Sequence, residues 1–69
     1  MKDHVYKTTE LVGTSGKSIE DAVQSAVSRA AKTVRSMRWV EVTEVRGHIE
    51  DGKVTQWQAI MKISFTLDD

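Results

Sequence analysis

A chain of 69 residues has room for one domain, expected over residues 1–69, and too little volume to bury a large core alone. Ten basic and ten acidic residues cancel to a formal net charge of zero, so the concentrated positive field of a general nucleic-acid binder is excluded. There is no cysteine, which excludes disulfides and thiolate metal sites, and His4 and His48 stand far apart in the sequence. Small domains otherwise gain stability by oligomerisation, so by elimination self-association is expected. Neither an apolar signal core nor an apolar run of membrane-spanning length is found, which gives an expectation of no membrane and a cytoplasmic address.

Residues 4–12 are rich in β-branched and aromatic types and predict a strand, which Gly13-Thr14-Ser15-Gly16 is expected to break. Ser18 reads as a helix N-cap, with Asp21 in the capping-box position. Ile19, Ala22, Val23, Ala26, Val27, Ala30, Ala31 and Val34 then recur at steps of three and four. That spacing predicts an amphipathic helix, and its small alanines suit close packing on a sheet. Glu20 and Asp21 at its start, and Lys32, Arg35 and Arg38 toward its end, match the helix dipole.

From Trp39 the period changes to two. Trp39–Glu50 and Lys53–Leu67 predict two long strands joined by Asp51-Gly52, a two-residue hairpin signal. An ideal turn sets Glu50 opposite Lys53, Ile49 opposite Val54, Val45 opposite Gln58 and Val40 opposite Ile63. It also sets Glu41 opposite Lys62, where an ion pair could form. Side chains then alternate between faces. Val40, Val42, Trp57, Ala59, Met61, Ile63, Phe65 and Leu67 share the face expected to receive the helix. Trp39, Thr43, Val45, Ile49, Val54, Gln58 and Ile60 share the other. One helix covers one face only, so this second face is too apolar for water and marks an interaction surface. The crossover leaves the first two strands parallel, and a third strand between them gives an antiparallel sheet of order 1-3-2. An order with the first two strands adjacent stays open.

Trp39 could anchor an interface or offer a stacking platform to a planar ring. Gln58 could be a solvated strand residue or could hydrogen-bond a polar ring edge, since its amide both donates and accepts. Six residues of strand, about 20 Å, separate them in the ideal register. They could therefore grip one small ligand only across a subunit boundary. Arg46 could pair with a phosphate and His48 could add a donor, or both could be ordinary surface residues. Gly47 between them suggests a bulge or a close backbone approach. The Gly13–Gly16 segment before the helix lacks the full phosphate-binding fingerprint and reads better as a strand-to-helix turn. Catalysis finds little support: the serines have no nucleophile-elbow context, and Glu41, Glu44 and Glu50 lie among basic residues where ion pairing is the ordinary explanation.

The whole chain from Val5 to about Leu67 resembles the dodecins. The resemblance rests on Val5-Tyr6-Lys7, Glu10 to Ser15, Ser18 to Val23, Arg38 to Val42, Arg46-Gly47-His48-Ile49 and the Asp51-Gly52 hairpin. It implies an α+β fold, β-α-β-β, in which a three-stranded antiparallel sheet partly wraps one helix and twelve copies form a hollow shell. By the same resemblance, flavins are held in pairs near two-fold axes, Trp39 is the stacking residue and Gln58 contacts the flavin. Arg46, followed by His48, is assigned to the ribityl-phosphate end, which favours FMN and leaves riboflavin and FAD open. Trp57 stands where members of that family often have tyrosine or phenylalanine, and the ideal pairing, which puts it toward the helix, assigns it to packing. The implied role is flavin storage and sequestration without catalysis. The runner-up is a structural shell, or a carrier of another nucleotide such as coenzyme A, and a flavoenzyme comes third.

Overall fold

The computed structural model describes residues 3–67, so the outermost positions of the expected 1–69 domain, residues 1–2 and 68–69, lie outside the described residues. The elements run β1 (Tyr6–Ser15), α1 (Ile19–Ala30), β2 (Met37–Glu50) and β3 (Lys53–Thr66). The sheet order is β1-β3-β2, with β3 antiparallel to both neighbours. This is the expected β-α-β-β architecture.

The first strand does not break at Gly13. It continues to Ser15, with Gly13 paired to Ala59. Gly13 is needed for another reason: α1 rests directly on it, and a Cβ there would fall 3.0 Å from the Ala22 carbonyl carbon and 3.1 Å from Ala26 Cβ. At the helix start, Ser18 Oγ accepts from Asp21 N at 3.0 Å, as the N-cap reading expects. The reciprocal half of the capping box is absent, because the Asp21 carboxylate accepts instead from Ser15 Oγ at 2.6 Å. Ser15 Oγ in turn accepts from Lys17 N at 2.9 Å, so one buried hydroxyl ties the strand end to the helix start. Ser18→Ala is expected to cost about 1 kcal/mol, read as a lower denaturant midpoint at unchanged slope.

The helix is shorter than its apolar stripe. It ends at Ala30, where the Ala30 carbonyl accepts from both Thr33 N at 3.0 Å and Val34 N at 2.8 Å. Ala31 becomes the exposed C-cap and Val34 packs from beyond the helix. Lys32, Arg35 and Arg38 therefore lie outside α1, and Arg29 is the basic residue of its last turn. Ala22, Ala59, Met61 and Ile63 form the buried core, with Leu11, Val23, Ala26, Val27 and Met37 packed around it.

The hairpin turn is as expected. Asp51 and Gly52 both have positive φ, at 52° and 75°, which matches the right-handed twist of the flanking strands. Glu50 pairs with Lys53, Ile49 with Val54, Glu41 with Lys62 and Val40 with Ile63. Between these two zones the register is displaced by one residue. Thr55 on β3 and Thr43 on β2 are each left without a partner, and a third irregularity falls at Arg38. Both threonines use the side chain to serve the ladder: Thr55 Oγ1 donates to the His48 carbonyl at 3.3 Å, and Thr43 Oγ1 to the Ile60 carbonyl at 3.1 Å. Gly47 is thus not the bulge. Its bare Cα lies under Trp57, where a Cβ would sit 3.4 Å from the indole ring and 2.8 Å from Val54 Cγ1.

These bulges overturn part of the expected face assignment. Val45 pairs with Ala59, so it lies on the helix side, and Val54 beside Gly47 does too, together with its partner Ile49. Glu44, Arg46 and His48 take the helix-free face instead, opposite Ile60, Gln58 and Gln56. The helix-free face is therefore polar over much of its length. Glu41 does stand opposite Lys62 without a salt bridge within 4 Å, and the His48 imidazole Nε2 lies 3.5 Å from Glu50 Oε1.

The exposed apolar surface has moved to the helix side. The helix packs on β1 and β3, and Val40, Val42, Val45, Ile49 and Val54 of the β2–β3 hairpin remain between 38% and 67% exposed. The overall dimensions agree: the radius of gyration is 14.4 Å, against about 11 Å for a compact chain of this length. Its accessible area of 5370 Å² exceeds by roughly a fifth the area expected for a compact monomer of this mass. One chain has too few apolar partners to cover this strip.

Candidate functional site

Trp39 enters β2 on the helix-free face, opposite Ser64. It is 53% exposed, a large cost for an indole that gives no structural return within one chain. Tyr6, arriving from β1, leans on it with ring centroids 4.8 Å apart and planes tilted by 51°. The tyrosine supports the indole from one side and leaves the rest open. The residue motif beginning at Val5 contains this tyrosine, but its role was not legible from sequence, because the contact depends on the β1–β3 register. A groove of about 210 Å³ lined by Val27, Met37, Arg38, Trp39, Val40 and Ile63 lies at this end of the chain, most of its lining on the helix side. It is smaller than the roughly 300–1,000 Å³ of typical small-molecule sites.

The other candidate residues gather at the opposite end of the same face. Gln58 faces Arg46, not Val45, because the Thr43 and Thr55 bulges displace the register between them. Arg46 Nε donates to Gln58 Oε1 at 2.7 Å, and Gln58 Nε2 donates to Gln56 Oε1 at 3.3 Å. His48 lies across from Gln56 and points its Nε2 toward Glu50. Arg46, Gln58 and Gln56 thus form one hydrogen-bonded chain, of which the sequence did not reveal Gln56, while His48 shares their face but turns to Glu50.

Trp39 does not join that cluster within one chain. Its β3 partner Ser64 lies six residues from Gln58, a separation of about 20 Å. The chain therefore presents a flat aromatic surface at one end of the open face and a donor-acceptor cluster at the other. Gly16 to Ser18 connect β1 to α1: the Ser15 hydroxyl accepts from Lys17 N, the Ser18 hydroxyl accepts from Asp21 N, and the Asp21 carboxylate accepts from Ser15 Oγ. Among the described residues no three His, Asp or Glu side chains converge to hold a metal ion. No helix among them is long and apolar enough to cross a membrane.

Residues 5–68 match the family model described as Dodecin. A curated dodecin of Thermus thermophilus is 45% identical over 65 residues, which is 94% of this chain and 94% of that protein. The solved dodecin of Streptomyces coelicolor has a TM-score of 0.93 and 49% identity, covering 100% of this chain and 99% of its own. A more distant structure, a calcium dodecin of Mycobacterium tuberculosis with a calcium-binding site of its own, has a TM-score of 0.80 and 32% identity. That match covers 93% of this chain and 91% of the other. With the β1-β3-β2 sheet, the single helix and the matched length all in agreement, the chain belongs to the dodecin family.

Proposed function

We propose that this protein stores and sequesters flavin in the cytoplasm, as a hollow homododecamer that holds flavins in pairs between tryptophans of neighbouring subunits. The observation that carries this reading is the separation of Trp39 from the Arg46–Gln58 cluster on one face. A fused three-ring ligand cannot span about 20 Å, so the indole of one subunit and the amide of another must close on it together. The uncovered hairpin strip from Val40 to Val54 supplies apolar surface for such an assembly.

The residues fit the group. Trp39 offers an open, electron-rich ring for stacking, and Gln58 offers an amide for a polar ring edge. Arg46 and His48 place a cation and a further donor nearby, which suits a phosphate and favours FMN over riboflavin or FAD. A bound flavin would supply a planar, photoactive ring, and no turnover is part of this reading. Trp39 would hold the ring against an indole and exclude water from it.

The test is a fluorescence titration of the purified protein with riboflavin, FMN and FAD, with mass recorded in solution on the same samples. The expected result is strong quenching that saturates near one flavin per chain, on a particle of twelve 7.8 kDa chains. An intact large oligomer that leaves flavin emission undiminished would sink the flavin reading. Coenzyme A would then be the next ligand to titrate, by calorimetry.

A further inference from the structure

Arg46 has a task besides any contact with a phosphate. We infer that it is a positioning residue that locks the Gln58 side-chain amide with its nitrogen toward the ligand, so that the site selects a hydrogen-bond acceptor on the ring edge. This inference rests on the flavin-binding reading.

An isolated glutamine on a strand can present either end of its amide, since oxygen and nitrogen exchange places by a rotation of the terminal torsion. The neighbours of Gln58 remove that freedom. A guanidinium carries donors only, so the atom 2.7 Å from Arg46 Nε has to be the amide oxygen. A charge-assisted bond of this length is stronger than a neutral one. The amide nitrogen then faces away from Arg46, and one of its two hydrogens goes to Gln56 Oε1 at 3.3 Å. One hydrogen is left, and it is a donor. Arg46 reaches Gln58 through Nε, which leaves its terminal nitrogens for other partners.

The arrangement depends on the bulges. In an undisplaced register Gln58 would face Val45, an apolar residue that could not orient an amide. The extra residues Thr43 and Thr55 shift the five positions between them by one, which brings Arg46 opposite Gln58 and turns Val45 to the other face. Each threonine hydroxyl covers the carbonyl its bulge would otherwise strand. The irregular hairpin therefore fixes the polarity of a binding group and does not merely bend the sheet.

Riboflavin separates this task from phosphate binding, because it carries no phosphate. Dissociation constants for riboflavin and FMN would be measured by fluorescence on wild type, Arg46→Ala, Gln58→Ala and the double variant, with oligomer mass as the control for assembly. Each single variant is expected to weaken riboflavin roughly tenfold, the scale of the one neutral hydrogen bond from the Gln58 amide to the ring. The double variant is expected to be no weaker than Gln58→Ala, because Arg46 acts through that amide. Arg46→Lys keeps a donor-only head and is expected to recover most of the riboflavin affinity, while Arg46→Gln, which can donate or accept, is not. Riboflavin binding unchanged in Arg46→Ala would overturn the inference, and so would losses that simply add in the double variant. Loss confined to FMN would leave flavin binding intact and assign Arg46 to the phosphate alone. Failure of wild type to bind riboflavin or FMN at all would instead be a failure of the flavin reading.

Discussion

Gly13→Ala is expected to lower the thermal midpoint by roughly 10–25 °C at fixed protein concentration. The added methyl has nowhere to go, since it meets the Ala22 carbonyl group and lies 3.1 Å from Ala26 Cβ. The Ala22 atoms are helix backbone, so relief requires α1 as a unit to lift from β1. The helix is anchored against that movement by the Ser15–Asp21 and Ser18 hydrogen bonds, and Ala22 belongs to the small buried core. Overpacking of a tight core costs about 1–3 kcal/mol. A backbone clash belongs at the upper end, and each kcal/mol moves the midpoint of a domain this size by roughly 4–8 °C. Holding concentration fixed matters because association also shifts the midpoint. Gly16→Ala is the control. Its new methyl would find its nearest neighbour, the Thr55 carbonyl oxygen, at 3.7 Å, an ordinary contact, so a change within about 0.5 kcal/mol is expected. Equal midpoints for the two variants would show that α1 is not seated on Gly13.

The elements, their order and the hairpin turn were legible in the sequence because each is set by local rules: a period of 3.6, a period of 2, an N-capping serine and an Asp-Gly turn with positive φ. The face assignment failed between Thr43 and Thr55 because a bulge adds one residue without any loss of strand character. Alternation continues on each side of it, but with the opposite parity. Gly47 drew attention as the place for such a defect, yet its missing side chain makes room for Trp57. The Tyr6–Trp39 contact and the Arg46–Gln58–Gln56 chain were hidden for a related reason: both join strands whose register the sequence leaves free. Trp39 and Gln58 were found singly, by residue type, and their separation was foreseen because six strand residues span about 20 Å in either register. The same shift relocated the apolar surface. Val45, Ile49 and Val54 belong with Val40 and Val42 on the helix side, so the surface that needs covering is distinct from the face that carries Trp39.

That distinction makes Trp39→Ala a clean experiment. Because the indole is 53% exposed and lies outside the buried core, its removal is expected to leave the mass of the assembly and the unfolding midpoint near those of wild type. Flavin quenching at saturation is expected to be largely lost. Affinity is expected to fall roughly 5- to 150-fold, the equivalent of the 1–3 kcal/mol that stacking of a planar base on an aromatic side chain contributes. Tyr6→Ala tests the support behind the indole. The tyrosine ring lies 4.8 Å from Trp39 on the same face, so its loss should loosen the platform and not abolish it. A weakening of less than about tenfold, with quenching at saturation retained, is the expected outcome. Fluorescence titration gives affinity and limiting quench together, and the two respond differently: Trp39→Ala changes both, whereas Tyr6→Ala changes the first alone. Full quenching in Trp39→Ala would move the stacking surface to another of the three remaining aromatic rings of the sheet, Tyr6, Trp57 or Phe65.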